Sequence, residues 1–275
     1  MIYFSYPPKQ SEIKKFSLRK RFPKAVIIGV SKCGSRAILE FLARHPDVAI
    51  APEEVYYFSK RFLPSEDVLL EKMPFSREYQ ITVEKTPSYF FSENAPRNIY
   101  MFNKTMKLVL VVNDPVKRLV SQYVELFPEE NSSEEFLKLV SYSLKTNPNK
   151  YYKNILLNRG FYDVHLSRWL KYFPLTQIHI VDGHRLITHP WKPMQKLEAF
   201  LGIRPYFQED KFKFNQTKGF YCLGKCLDET KGRKHPVIQQ WLLKLLYKYY
   251  LDHNFKFYQL TNITFDWELN APDPV

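Results

Sequence analysis

A small-residue turn near the start of the chain combines glycines and a lysine in a pattern that can bind phosphate. Residues 25–36 read AVIIGVSKCGSR, and an apolar-periodic segment from Ile38 to Leu42 follows them. The β-branched run predicts a short strand, and the periodic segment predicts a helix. In this strand–loop–helix order, backbone N–H groups and the helix N-terminus can surround a phosphate. The sequence therefore predicts a phosphate loop here.

The loop departs from the Walker A pattern of Mg-nucleotide enzymes. Gly29 and Gly34 have the G-x-x-x-x-G spacing, but Ser35 stands where that pattern has its lysine. The lysine comes earlier, at Lys32, inside the loop. Because the lysine and the following hydroxyl are misplaced for Mg-ATP, a nucleotide kinase is the least favoured function. A loop adapted to another phosphate chemistry is the better interpretation.

Strands that alternate with helices must position this loop. Apolar runs predict buried strands over 25–30, 81–85, 107–112 and 177–181, and periodic segments predict helices over 35–44, 93–102, 115–126, 134–145, 160–173 and 193–201. A loop-rich segment is expected over 204–236, and a long aromatic-rich helix follows from about residue 236. The alternation predicts an α/β fold with a mainly parallel sheet. We expect a basic irregular leader over 1–23 and a single domain over 24–275.

The charge balance favours a polyanionic partner. Lys and Arg outnumber Asp and Glu by 41 to 28, for a net charge of +13, which fits nucleic acid, an anionic membrane or an anionic polysaccharide. No zinc-finger spacing, RNP-like motif or basic-region heptad supports nucleic acid. No apolar run of about 18 residues and no apolar segment near the N-terminus occur. We therefore expect neither a transmembrane helix nor a signal peptide in this chain.

Three cysteines and four glycosylation sequons bear on the compartment. Cys222 and Cys226 are close enough to clip a small loop, whereas Cys33 lies in the phosphate loop. A single C-x3-C pair without a second ligand pair is weak support for zinc, so no metal site is expected. The N-x-[S/T] sequons lean towards the secretory pathway, and they begin at Asn103, Asn131, Asn215 and Asn262.

Several further segments occur in an order that resembles one enzyme family. They are PEEVYYF at 52–58, EKTPSYF at 84–90, DPVKR at 114–118, RGFY at 159–162, His165 with RWL at 168–170, DGHRLI at 182–187, and GFYC at 219–222 with KGRKHP at 231–236. With the loop at 29–36, these segments resemble the heparan sulfate glucosamine 3-O-sulfotransferases. The resemblance implies a P-loop-like sulfotransferase fold, 3′-phosphoadenosine-5′-phosphosulfate as the sulfo donor, and a glucosamine of heparan sulfate as the acceptor. It also implies that the protein acts in the Golgi lumen and that the reaction requires no metal ion.

On the donor side, the resemblance assigns roles to three parts of the chain. Lys32 matches the loop lysine that stabilises negative charge on the leaving phosphate. Other matched positions surround the 5′-phosphosulfate (Cys33, Gly34, Ser35, Arg36), correspond to the 3′-phosphate site (Asn113, Ser121), or close over the donor (Lys231, Gly232, Arg233). The family also has a disulfide where Cys222 and Cys226 stand.

On the acceptor side, Glu54 matches the general base that takes the proton from the sugar hydroxyl. Its neighbour Glu53 is expected to be a bystander, because adjacent side chains of an extended segment point to opposite faces. Lys85 matches a lysine that contacts the sulfo group and the acceptor. Tyr56, Ser59 and Glu125 stand where the family has histidine, aspartate and glutamine.

These departures from the family pattern leave two alternative functions open. Asn113 stands where the family has arginine, and an asparagine brings neither charge nor a bidentate fork to a phosphate. Lys117 or Arg118 are the residues that could compensate. The leading prediction is a monomeric sulfotransferase that binds heparan sulfate, without nucleic acid or membrane contact. The alternatives are a non-catalytic heparan sulfate binding protein and a sulfotransferase for another glycan.

Overall fold

A computed structural model describes residues 17–128, 132–145, 155–224, 226 and 235–272 of the chain. The chain forms two compact units, of which the first comprises Met1–Val112 and Tyr172–Glu229. The second comprises Asn113–Lys171 and Thr230–Val275. A search of the described residues for a helix long and apolar enough to cross a membrane finds none.

The first unit contains an α/β core with nine strands and five helices among its described residues. The strands are β1 (Arg19–Lys20), β2 (Ala25–Gly29), β3 (Val48–Ile50), β4 (Phe75–Ser76), β5 (Ile81–Lys85), β6 (Lys107–Val112), β7 (Ile178–Asp182), β8 (Phe212–Asn215) and β9 (Phe220–Leu223). The helices are α1 (Ser35–Leu42), α2 (Glu66–Glu71), α3 (Ala95–Phe102), α8 (Gly183–Thr188) and α9 (Trp191–Leu201), numbered in chain order with those of the second unit.

Five strands form the central sheet in the order β3-β5-β2-β6-β7. Every pair in it is parallel, as the strand–helix alternation predicts, so the predicted fold class is confirmed. All five residues of β2 are buried, which is expected for an inner strand covered on both faces. Because all strands run the same way, the loops after β2, β3, β5 and β7 leave from one edge of the sheet.

Two small antiparallel pairs were not expected from the sequence. β8 and β9 form a hairpin inside the predicted loop-rich segment, and β1, which lies inside the predicted irregular leader, pairs with β4. Each strand has only two to four residues, too few for a clear period of two. Leu18, the apolar residue just before β1, is buried. Tertiary pairing, not local pattern, decides these segments.

The second unit is helical over its described residues. Its helices are α4 (Pro115–Leu126), α5 (Ser133–Lys145), α6 (Ile155–Asn158), α7 (Tyr162–Trp169) and α10 (Gln240–Thr261). The core joins α4, α5, α6 and α10 through buried apolar side chains such as Leu119, Phe136, Leu157 and Leu246. The long predicted helix begins at Gln240, a few residues later than expected, and residues 235–239 before it are not helical.

Candidate active site

The phosphate loop connects β2 to α1 and contains two residues in the left-handed region. Gly34 has φ of 106°, which suits glycine, but Lys32 has φ of 73° without being glycine. A left-handed conformation costs a non-glycine residue about 1–2 kcal/mol. Such backbone strain is concentrated at functional sites. The half-buried Lys32 side chain therefore extends from a strained backbone position, as is typical of a functional site.

The N-terminus of α1 is suited to an anion. Gly34 precedes the helix, no side chain caps its first amides, and its first turn contains no acidic residue. These N–H groups and the helix dipole both favour negative charge. Cys33 and Ser35 are buried beside the turn, and Arg36 is exposed, 3.9 Å from Glu40. The predicted 5′-phosphosulfate residues are thus brought together, and their donor groups fit a phosphate or sulfate ester.

A glycine on another strand end allows the loop to pack closely. Gly183 begins α8, and a Cβ at this position would collide with the carbonyl oxygen of Cys33. It would also lie 3.0 Å from the carbonyl oxygen of Val112. The absence of a side chain at Gly183 therefore permits β7 and β6 to approach the phosphate loop.

Glu54 is joined to two other predicted site residues. The Lys85 ammonium lies 2.5 Å from Glu54 Oε1, and the Tyr56 hydroxyl donates to Glu54 Oε2 at 2.5 Å. Its hydrogen bond to Glu54, with burial, raises the pKa of Tyr56 to about 12, so this phenol keeps its proton. Both carboxylate oxygens thus have a donor. The structure therefore assembles three of the predicted acceptor-side residues.

The sheet sets where this carboxylate lies. The Ala51 N–H donates to the Val83 carbonyl at 2.8 Å, so the segment after β3 continues along β5 towards its end. Lys85 is the last residue of β5, which pairs with β2. The carboxylate and the phosphate loop therefore belong to the same ends of two adjacent parallel strands, where ligands bind in α/β sheets.

Two residues beside the carboxylate were given no role by the sequence. Glu84 is fully buried in β5, and burial raises the pKa of its carboxyl to about 7. Its Oε1 accepts hydrogen bonds from the Thr86 hydroxyl and from the Val55 N–H. A glutamate is rarely buried without a specific partner. Its place inside a predicted buried strand was therefore the sequence signal that could have identified Glu84 as a site residue.

Ser59 has a different environment from its predicted neighbours. It is half-buried, and its carbonyl accepts a hydrogen bond from Asn94 Nδ2 at 3.2 Å. Among the described residues, its hydroxyl makes no hydrogen bond to Glu54 or Lys85. The structure therefore leaves a role for Ser59 in acceptor binding as a prediction.

In the second unit, Asn113 precedes the N-cap of α4. Its Oδ1 accepts from the Asp114 N–H at 2.8 Å, and its carbonyl accepts from the Tyr162 hydroxyl at 2.8 Å. The Asp114 side chain caps α4 through the Val116 N–H and accepts from the Tyr247 hydroxyl at 2.7 Å. These bonds leave the Nδ2 group of Asn113 as its donor to a ligand.

Ser121 and Glu125 lie one turn apart on α4 and therefore share a face with Lys117.

The two candidates for replacing the missing arginine, Lys117 and Arg118, differ sharply in burial. Arg118 is fully buried and donates at 2.5 Å to both Gln122 Oε1 and the Leu156 carbonyl, so it has a structural role. Lys117 is exposed, with its ammonium 2.9 Å from Asn270 Oδ1. Only Lys117 is accessible to a ligand.

The remaining predictions are resolved in part. A disulfide joins Cys222 to Cys226, as the resemblance implies. Lys231, Gly232 and Arg233 lie outside the described residues. A search of the described part for three or more grouped His, Cys, Asp or Glu side chains that could hold a metal ion finds none.

Comparison with known proteins identifies related sequences over most of the chain. Residues 22–252 match the sulfotransferase domain family. Heparan sulfate glucosamine 3-O-sulfotransferase 5 of Mus musculus is 38% identical over 94% of this chain and 78% of its own length. Heparan sulfate glucosamine 3-O-sulfotransferase 3B1 of Homo sapiens is 37% identical over 95% of this chain and 70% of its own length.

A solved structure shows the same fold at lower identity. A sulfotransferase from Alicyclobacillus acidocaldarius superposes with a TM-score of 0.68 at 18% identity, over 90% of this chain and 99% of its own. The parallel sheet, the phosphate loop and the two relatives of high coverage lead to one assignment. The chain belongs to the heparan sulfate glucosamine 3-O-sulfotransferase family.

Proposed function

We propose that this protein transfers a sulfo group from 3′-phosphoadenosine-5′-phosphosulfate to the 3-hydroxyl of glucosamine residues in heparan sulfate. One observation carries the proposal: the Glu54 carboxylate, held by Lys85 and Tyr56, lies at the end of the strand that neighbours the phosphate-loop strand. A positioned base beside an anion-binding loop is what hydroxyl-to-sulfur transfer requires. The two heparan sulfate glucosamine 3-O-sulfotransferase relatives agree with this acceptor.

Glu54 is proposed as the general base. A sugar hydroxyl is a poor nucleophile at neutral pH, so a carboxylate within hydrogen-bond reach must take its proton as the oxygen attacks sulfur. Oε1 of this carboxylate bonds Lys85, and Oε2 bonds the Tyr56 hydroxyl. An acceptor hydroxyl would bind Oε2 beside the phenol, because a carboxylate oxygen accepts with two lone pairs, while Lys85 keeps the carboxylate oriented and remains near the transferring group.

The phosphate loop is proposed to stabilise the leaving group. The donor supplies the sulfo group and departs as adenosine 3′,5′-bisphosphate. Lys32 and the amides at the start of α1 would take up the negative charge that develops on its 5′-phosphate, with Cys33, Gly34, Ser35 and Arg36 as further ligands. Fixed donors of this kind need no metal, because they are already oriented before the reaction.

The 3′-phosphate contacts are proposed from the family pattern. Asn113 and Ser121 would donate hydrogen bonds to it, and the exposed ammonium of Lys117 would supply the charge that Asn113 lacks. Lys231, Gly232 and Arg233 are proposed to close over the donor, and Tyr56, Ser59 and Glu125 to face the acceptor. We further propose a monomer in the Golgi lumen, a compartment that agrees with the disulfide and the sequons.

Labelled-sulfate transfer tests the function. The purified protein would be incubated with heparan sulfate and the donor carrying radioactive sulfur, and the product would be mapped by mass spectrometry. We expect label on the glucosamine 3-hydroxyl, and a loss of at least ~100-fold in kcat for Glu54→Gln. Glu53→Gln, on the adjacent exposed side chain, is the matched control. Absence of label in any heparan sulfate, with Glu54→Gln equal to wild type, would overturn the proposal.

A non-catalytic heparan sulfate binding protein is the second candidate, favoured by the uncharged Asn113 at the 3′-phosphate position. Calorimetry with adenosine 3′,5′-bisphosphate separates the two. Micromolar or tighter binding supports the enzyme, whereas heparan sulfate binding without nucleotide binding supports the second candidate. A panel of other glycans as acceptors tests whether the transferred group goes elsewhere.

A further inference from the structure

Thr86, the residue directly after β5, binds the segment that carries Glu54, beside the hydrogen bond from the Val55 N–H to Glu84 Oε1. The Thr86 hydroxyl accepts hydrogen bonds from the Val55 N–H at 3.0 Å and from the Tyr56 N–H at 3.4 Å. These are the two amides that directly follow Glu54. Tyr56 has φ of 54°, in the left-handed region, which is strained for a non-glycine residue. The amide bonds to Thr86 offset this strain and fix the turn.

Glu84 determines which way the Thr86 hydroxyl points. A hydroxyl has one proton to donate and two lone pairs to accept with. The Thr86 proton goes to Glu84 Oε1, so both lone pairs face the two amides. Without that acceptor, the hydroxyl would be free to rotate its proton towards the amides and repel them.

Thr86 also connects this segment to the phosphate-loop strand. Its own N–H donates to the Ile27 carbonyl of β2 at 3.2 Å. Two residues after Ile27, a Cβ on Gly29 would lie 2.6 Å from Phe90 Cβ, so the end of β2 packs closely on the short 3-10 helix (Pro87–Phe91) that begins after Thr86. Thr86 thus joins two parts of the site. Its hydroxyl binds the segment that carries Glu54, and its N–H binds β2, the strand that leads into the phosphate loop.

The cost of the arrangement indicates that it is retained for a purpose. Glu84 is fully buried, and no ion pair of its carboxyl is found in the described part of the chain. Its Oε2 is buried without a hydrogen-bond partner there. A buried carboxyl with one unpartnered oxygen is destabilising relative to an apolar residue. The Lys85 ammonium forms its ion pair with Glu54, so it offsets the burial of Glu84 only through a weaker charge interaction at a distance.

We infer that Glu84 and Thr86 are positioning residues for the reaction: Glu84 orients the Thr86 hydroxyl, and this hydroxyl holds the Val55 and Tyr56 amides so that Glu54 meets Lys85 at a fixed place beside the phosphate-loop strand. The inference rests on the proposed role of Glu54 as the base. Neither residue touches the reacting atoms. Their contribution is to the geometry of the base, where a shift of about 1 Å is enough to lower the rate by ~100-fold.

Five variants test the inference with heparan sulfate and the sulfate donor as substrates. Thr86→Val removes the hydroxyl and keeps the shape, whereas Thr86→Ser keeps the hydroxyl. Thr82→Val is the matched control, because Thr82 is another buried threonine and lies within β5, two residues before Glu84. Glu84→Leu, alone and combined with Thr86→Val, tests whether the two residues act together.

We expect kcat to fall by at least ~10-fold in Thr86→Val and to return within ~3-fold of wild type in Thr86→Ser. Thr82→Val should match wild type, and calorimetric binding of adenosine 3′,5′-bisphosphate should be unchanged in all of them. Glu84→Leu should lower kcat, and the double variant should be no worse than Thr86→Val alone, because both act through the same amides.

Two results would overturn the inference. One is a wild-type kcat in Thr86→Val, and the other is an equal loss in Thr82→Val, which would mean that the loss of any buried threonine hydroxyl in or next to β5 has this effect. Multiplied losses in the double variant would reject the path from Glu84 through Thr86. These outcomes differ from failure of the proposed function, in which the wild-type protein itself transfers no sulfate.

Discussion

The ammonium of Lys85 lies 2.5 Å from Oε1 of Glu54, although the two residues are 31 positions apart in the chain. The lysine side chain is largely buried, and about a third of the glutamate side chain is exposed. This pair fixes one oxygen of the carboxylate and leaves the other towards the accessible side, where the Tyr56 hydroxyl binds it. The base is thus oriented before an acceptor arrives.

Replacing Lys85 should therefore lower activity through geometry and lost charge. We expect Lys85→Met to reduce kcat by ~100-fold or more, because the base loses its orienting partner and the transferring group loses a nearby cation. Steady-state kinetics with heparan sulfate measures this. Lys72→Met, on an exposed lysine that ends α2, is the control and should behave as wild type. Equal kcat in both variants would contradict the role.

Removing the Tyr56 hydroxyl should have a smaller effect. Tyr56→Phe leaves Glu54 Oε2 without its donor, so we expect kcat to fall by ~10-fold while adenosine 3′,5′-bisphosphate binding is unchanged. Tyr56→His, which introduces the residue that the family has here, should retain more activity. Tyr79→Phe is the control on another exposed tyrosine. A Tyr56→Phe variant as active as wild type would reject the role.

Restoring the arginine that the family has at position 113 should tighten nucleotide binding. A bidentate, charge-assisted contact to the 3′-phosphate is worth about 1.5–3 kcal/mol, so Asn113→Arg should bind adenosine 3′,5′-bisphosphate ~10-fold or more tightly. Calorimetry measures the change, and adenosine 5′-phosphate, which lacks the 3′-phosphate, is the control ligand. An equal gain for both nucleotides would show that the new arginine acts elsewhere.

Arg118 and Lys117 are neighbours with opposite expected behaviour. Arg118→Met leaves the buried Leu156 carbonyl and Gln122 oxygen without their donor, which should lower the free energy of unfolding by about 2–4 kcal/mol. Lys117→Met should keep stability within about 0.5 kcal/mol, because the side chain is exposed, and weaken nucleotide binding. Denaturant unfolding and calorimetry on both variants check this. The reverse pattern would exclude the assignment.

Glu84 should make stability depend on pH. Burial raises the pKa of its carboxyl to about 7, so the folded protein holds this proton after the unfolded chain has released its own near pH 4.5. The free energy of unfolding therefore falls as the pH rises from about 4.5 to about 7. Each pH unit costs about 1.4 kcal/mol, so the decline is on the order of 3 kcal/mol.

Glu84→Gln should remove this decline, and the difference between the two proteins isolates it. The comparison is needed because burial lowers the pKa of His165 and of His179 to about 4, which raises stability with pH between about 4 and 6.5. Those terms are common to both proteins and cancel. Unfolding by denaturant at several pH values gives the difference, and parallel curves for the two proteins would refute the prediction.

The sequence by itself determined the parallel sheet and the phosphate loop. The strands at 25–29 and 107–112 consist mostly of apolar residues, and Gly29, Lys32 and Gly34 follow one another in a single loop. Both signals therefore lie within a few neighbouring residues. The resemblance added Glu54, Lys85 and the disulfide between Cys222 and Cys226, which the structure contains.

Only the tertiary structure decided which side chains meet. Whether Lys85 reaches Glu54, why a glutamate sits buried at position 84, and that Thr86 binds the amides after Glu54 depend on pairing between strands that are far apart in the chain. The choice between Lys117 and Arg118 was settled the same way, by burial of one and exposure of the other. Burial and hydrogen-bond partners are properties of packing, so no local pattern encodes them.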